Sequence, residues 1–192
     1  MRCTSRCATI LMDIKMTAEI KKRSIEITIQ PEFKPYVKSS WLRSIIQHTL
    51  QQTNPTGSCS ISLAITNDDT IRSLNQQFRN FDEVTDVLAF GNHGEFEDET
   101  VDSSLEAVEF PNPEDLLSHL GEVVLSYPQA QRQALENTVS IDSEIALLVI
   151  HGILHLLGYE HHTNDQEILM TDSQSKILRS FLENAKSANH GK

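Results

Sequence analysis

The stretch Ile145-Ala146-Leu147-Leu148-Val149-Ile150-His151-Gly152-Ile153-Leu154-His155-Leu156-Leu157-Gly158-Tyr159-Glu160-His161 decides how the chain is read. The apolar run from Ile145 to Ile150 is far short of the ~20 residues that span a bilayer, so it reads as a buried helix. Asp142 or Ser143 can open that helix, and it runs through Leu157. Gly158 is its natural stop, because a left-handed residue after the last turn costs glycine little. A helix this apolar is surrounded by other elements, which places it at the centre of the molecule with the histidines at its C-terminal end.

Outward from this helix the pattern is mixed. Ile25, Ile27 and Ile29 alternate with polar residues, as do Ile61, Leu63 and Ile65, and each set predicts a half-buried strand. Between them Tyr36 to Gln52 reads as an amphipathic helix with Val37, Trp41, Ile45, Ile46 and Leu50 inward, followed by a turn at Asn54-Pro55-Thr56-Gly57. Asn67 or Asp68 caps a helix over 67–79 whose apolar face is Ile71, Leu74 and Phe78. Val84 to Phe90 and Gly121 to Leu125 predict two more strands, the first at an edge or bend. Tyr127 to Asn137 is a short helix with Pro128 in its first turn, and Thr163 or Asn164 caps a last helix to about Ala185. The expected class is α+β: one domain, with a small mixed sheet packed against about five helices. Residues 1–23 read as a disordered N-terminal extension and 24–186 as the folded domain.

Composition fits a globular chain: 192 residues, 39% apolar and 22% charged. The three cysteines, Cys3, Cys7 and Cys59, form no disulfide framework and point to a reducing compartment. The run Ala8 to Met12 is too short for a signal-peptide core, and Met12 or Met16 is an alternative start. A net charge of −11 at first opposes a polyanionic substrate. Its distribution changes that. Residues 92–115 carry nine acids and no Lys or Arg, and read as a solvated acidic insertion. The rest holds 16 basic against 18 acidic residues, a balance of −2.

Residues four apart on a helix share a face, with Cβ atoms about 5–6 Å apart, so His151 and His155 can offer two imidazole nitrogens to one ion. After the break at Gly158 the chain can turn back and His161 can supply a third. Three protein ligands with one position open are the pattern of catalytic zinc; structural zinc usually has four. A single histidine on an apolar helix would more often be a core residue, but three in this spacing reverse that balance. Imidazole suits several transition metals, and zinc is the first choice. His162 is expected to point elsewhere, at the surface, and His48, His93, His119 and His190 lack comparable spacing. The spacing also fits the metzincin protease pattern H-E-x-x-H-x-x-G-x-x-H. Gly152 stands where the protease carries its glutamate base, which leaves a metalloprotease as a poorly fitting alternative.

Three motifs in order resemble the YbeY family of endoribonucleases, the rRNA maturation factors, over roughly residues 25–185. They are Arg79 followed by Thr85-Asp86-Val87-Leu88-Ala89-Phe90, then Gly121-Glu122-Val123-Val124-Leu125-Ser126, and last His151-Gly152-x-Leu154-His155-Leu156-x-Gly158-Tyr159-x-His161. Ala89 replaces the family's usual serine, and Glu122 and Glu160 replace aspartates. None of these departures removes a metal ligand. The acidic insertion is longer than the family's usual connection.

The resemblance implies a zinc-dependent, single-strand-specific endoribonuclease acting in 16S rRNA 3′-end maturation and ribosome quality control. It implies a cytoplasmic location and contact with rRNA and the small ribosomal subunit, with no membrane. It also picks out Arg79 as a functional arginine, suited to hold a phosphate; a cation near a helix C-terminus is favourable in any case. Thr85 and Asp86 read equally as partners of a metal-ligating histidine and as turn chemistry at a strand start. Glu144 reads as a helix N-terminal charge, Glu160 as a loop acid or a general base, and Tyr159 as loop packing or a stacking ring. A non-catalytic ribosome-assembly factor stabilised by its metal is the remaining alternative.

Overall fold

The computed structural model describes residues 23–53, 58–91 and 118–189. Four strands form one sheet: β1 (Arg23–Ile29), β2 (Cys59–Thr66), β3 (Val87–Gly91) and β4 (Ser118–Ser126), in the order β1-β2-β4-β3. β1 and β2 pair in parallel, as do β2 and β4, while β3 runs antiparallel to β4. The helices are α1 (Ser39–Thr53), α2 (Asp68–Arg79), α3 (Tyr127–Glu136), α4 (Ile141–Leu156) and α5 (Asn164–Asn189). The expected α+β class is what the chain forms, with five α-helices on a four-stranded mixed sheet among the described residues.

Alternation sets the register. Ile25, Ile27 and Ile29 lie opposite Ile61, Leu63 and Ile65, and Ile61, Leu63 and Ile65 lie opposite Gly121, Val123 and Leu125. Ile61, Leu63, Ile65, Val123 and Leu125 are buried, together with Leu42, Ile45, Ile46 and Leu50 of α1. α4 sits in the middle, packed against β3, β4, α1, α3 and α5. Its ten buried residues include Ile145, Val149, Ile150, Ile153 and Leu154, the all-round burial that its sequence called for. Burying such side chains is worth roughly 1.5–3 kcal/mol each, so this helix anchors the core. No single helix among the described residues is long and apolar enough to cross a membrane.

Two glycines are forced by the backbone. Gly121 has φ +133° at the point where the β2–β4 register shifts, and a Cβ there would meet the Phe90 carbonyl oxygen and Leu156. Gly158 has φ +84° directly after α4, where the Gly158 N–H donates to the His155 carbonyl and the Tyr159 N–H to that of Leu154.

Several boundaries differ from expectation. α4 is capped one turn early, by Ser140, whose hydroxyl accepts from the Ser143 N–H at 3.1 Å. Asp142 and Glu144 then fall in the first turn, where they complement the helix dipole. α1 starts at Ser39 because Pro31–Phe33 forms a separate 3-10 turn that buries Phe33. Leu42 rather than Trp41 takes the core position. β3 begins at Val87, where the Asp86 carboxylate accepts from the Val87 N–H and the Asp86 carbonyl accepts from the Ser126 N–H of β4. Phe78, expected inward, is exposed. Asn67 does cap α2, and Thr163 with Gln166 forms a reciprocal cap at the start of α5. The turn at 54–57, Cys3, Cys7, His93, His190, the N-terminal extension apart from Arg23, and the acidic insertion lie outside the described residues.

Candidate metal centre

The last two turns of α4 hold His151 and His155 one above the other, both half-buried. The Gly158 turn returns the chain so that exposed His161 completes the group. The three residues offer ligand atoms that all lie within 4.8 Å of one another. The Nε2 atoms of His151 and His155 are 3.1 Å apart. The His155 ring stands nearly perpendicular to the other two, at 83° and 82°, while the His151 and His161 rings are close to parallel at 20°.

The protonation pattern favours ligation. His151 Nδ1 lies 2.9 Å from Gln174 Oε1 on α5. An amide oxygen only accepts, so Nδ1 carries the proton and Nε2 keeps a lone pair directed at the cluster. Burial, then the neighbouring His151 and His161, hold the His155 pKa below its ordinary value, which keeps that ring neutral. Three imidazoles converging on one point therefore fit a transition-metal ion.

The cluster opens into a cleft of about 570 Å³, a size that takes a nucleotide-sized ligand. Arg79, Thr85, Asp86, Phe78 and Phe90 line it with the histidines. A second cleft of about 380 Å³, lined by Glu167, Met170, Thr171 and Gln174, shares His151 and His161 with the first. The cluster thus lies between two clefts. Arg79 is exposed at the end of α2 and has no carboxylate partner among the described residues, whereas Arg72 pairs with Asp82 and Arg132 with Asp68.

Asp86, Glu160 and Glu144 have local surroundings of their own. Asp86 accepts from the Val87 N–H, from Thr85 and from Gln133 at 2.8, 3.2 and 3.1 Å and bonds no histidine among the described residues, so strand-start chemistry is its role. Glu160 lies 3.0 Å from His162 on the surface, although both also line the larger cleft. Glu144 is buried in the first turn of α4, two turns from His151. Tyr159 packs half-buried against the core. The residues that sequence reasoning missed are Gln174, which comes from 23 positions away on another helix, and Phe78 as a wall of the cleft. No local spacing announces either.

Gly152 has a packing reason of its own. A Cβ there would come within 2.7 Å of Val123 Cγ1 and 3.4 Å of Val87 Cγ2. The position faces the sheet, so the glutamate base of a metzincin has no room in this helix.

Comparison with known proteins agrees with this site. The family model described as endoribonuclease YbeY matches residues 20–182. A YbeY endoribonuclease of Dehalococcoides mccartyi (strain CBDB1) is 39% identical over 162 residues, covering 83% of this chain and 95% of the relative. One from Roseiflexus sp. (strain RS-1) is 33% identical over 161 residues, covering 83% and 94%. The solution structure of a Thermotoga maritima protein superposes with a TM-score of 0.54 at 25% identity, covering 85% of this chain and 93% of the other. A three-histidine cluster open to a cleft, an arginine lining that cleft beside it and relatives matched along nearly their whole length lead to one conclusion: this chain belongs to the YbeY family of endoribonucleases.

Proposed function

We propose that this protein is a zinc-dependent, single-strand-specific endoribonuclease that matures the 3′ end of 16S rRNA and takes part in ribosome quality control, acting in the cytoplasm on the small ribosomal subunit. The observation that carries the reading is the convergence of His151, His155 and His161 in a cleft that Arg79 also lines, an arginine with no carboxylate partner among the described residues. His151, His155 and His161 would hold the ion, which when bound supplies Lewis-acid stabilisation of phosphoryl charge and makes water acidic near neutral pH.

The chain's own residues do the rest. The Arg79 guanidinium, fixed on the end of α2, is free to take two phosphoryl oxygens and to offset the negative charge that builds there. Gln174 holds the His151 ring in the tautomer that ligates. Two clefts meeting at the histidines allow a strand to enter on one side and leave on the other, which suits cutting within a chain rather than at its end.

The test incubates purified protein with single-stranded RNA and with casein, each with and without chelator, alongside His155→Ala as a control for trace nuclease. Chelator-sensitive cutting of RNA alone, absent in His155→Ala, is the expected result. Cutting of casein would instead indicate a protease. No cutting, with chelator lowering the melting temperature, would indicate an assembly factor with a structural metal. Elemental analysis of the same sample identifies the ion. Arg79→Ala is expected to lose at least ~100-fold in cleavage rate, the scale of a lost transition-state donor, with metal content unchanged. Loss of the metal in that variant would make Arg79 structural. Small subunits carrying the 3′ precursor, incubated with the protein, test the rRNA assignment.

A further inference from the structure

Phe78 is a large apolar side chain in an unexpected place. It falls on the same helical face as Ile71 and Asn75, which are buried, yet it is 58% exposed. The last turn of α2 overhangs the cleft rather than the core, and the ring forms part of the cleft wall next to Arg79.

That exposure is held in place. The ring rests edge-on against Phe90 of β3, with centroids 5.1 Å apart. Asn80 closes the helix in the left-handed conformation at φ 61°, with its N–H bonded to Gln76 and that of Phe81 to Asn75. Buried Asn75 donates to the Glu83 carbonyl at 3.0 Å, and Arg72 grips Asp82 through two bonds of 2.7 and 2.9 Å. A segment fastened at this many points presents Phe78 and Arg79 in a fixed relation to the histidines.

We propose that Phe78 is a stacking platform for a nucleobase of the RNA strand, seated next to the phosphate held by Arg79; this rests on the RNA reading above. Adjacent residues match adjacent parts of a nucleotide: the guanidinium takes the phosphate and the ring takes the base. Every base has a π-face, so stacking tolerates sequence, and it needs a base that is not already stacked in a duplex. The platform therefore gives the site a physical reason to prefer single strands. The ring's continuity with the cleft and its position beside the Arg79 cation favour this ligand over an apolar protein surface.

The experiment uses oligoribonucleotides carrying 2-aminopurine at one position at a time, mixed in a stopped-flow instrument so that binding is read before cleavage. Wild type and Phe78→Tyr are expected to quench fluorescence at one position and to bind alike. Phe78→Leu, which keeps apolar bulk but has no π-face, is expected to lose the quench and bind about tenfold more weakly. Its KM rises while kcat changes little, and its melting temperature stays at the wild-type value because the side chain is exposed. A duplex of the same sequence gives no quench with any of the three. Unchanged quench and affinity in Phe78→Leu overturn the proposal while leaving the RNA reading intact. Wild type that neither binds nor cuts single-stranded RNA overturns that reading and this one together. If Phe78→Leu instead abolishes self-association seen by sedimentation, with RNA binding untouched, the ring belongs to a second copy of the chain and the proposal fails.

Discussion

The side chain that contacts the histidine cluster from another helix is Gln174, and it is an amide where a carboxylate is the common partner of a metal histidine. A neutral partner fixes the His151 tautomer without lowering the charge of the site, so a +2 ion would keep its full attraction for phosphate. Loss of such partners typically costs 10–100-fold in metal affinity. Gln174→Leu is accordingly expected to weaken metal binding by about that factor, read by competition with a chromophoric chelator and by the visible spectrum of the cobalt-loaded protein. Gln174→Glu is expected to hold the ion at least as tightly as wild type. Equal affinity in wild type and Gln174→Leu would show that His151 needs no partner. The contrast with the ligands shows what is legible at this scale. His151, His155 and His161 can be read from spacing because one helix and one turn place all three. Gln174 cannot, because its contact depends on how α5 docks against α4.

At the scale of elements the same division holds. Aliphatic alternation at 25, 27, 29 and 61, 63, 65 reveals β1 and β2, since a period of two has one structural meaning. The all-apolar stretch before His151 reveals α4 as the central helix. What the pattern cannot show is where an element leaves the core: Phe78 keeps the helical period but lies beyond the sheet, and Val84 extends the apolar pattern of a strand that begins only at Val87. Gly152 is a further case, resembling a missing catalytic glutamate in sequence while its cause is the close approach of α4 to β4. Two effects oppose each other in Gly152→Ala. Alanine favours a helix by roughly 0.5–1 kcal/mol, while forcing a methyl to within 2.7 Å of Val123 Cγ1 costs about 1–3 kcal/mol as overpacking. A net loss of about 1 kcal/mol is expected in the denaturant midpoint. Adding Val123→Ala removes the obstructing methyls, so the double variant is expected to be more stable than the sum of the single changes allows. Strict additivity would mean that α4 moves away from β4 instead.

Over the whole molecule the charge sets the terms of RNA binding. A net charge of −11 repels a polyanion at long range, yet nine of the acids lie in residues 92–115, and without them the balance is −2. The topology permits removal of that stretch: β3 and β4 are adjacent antiparallel strands paired up to Gly91 and Gly121, so a short turn can join them. Replacing residues 93–115 by such a turn is expected to leave the melting temperature unchanged and to speed association with single-stranded RNA. The size of the gain depends on salt. Repulsion between separated charges is screened over about 8 Å at physiological ionic strength and over about 30 Å at 0.01 M, so the shortened protein is expected to outpace wild type most at low salt and to converge on it as salt rises. The phosphate contact proposed for Arg79 is local, and both proteins would share it. Their slopes of affinity against salt therefore differ through the long-range component alone. Weaker RNA binding by the shortened protein at every salt concentration would show that residues 93–115 contact the strand directly, and that their acids are offset there by polar bonds to the RNA.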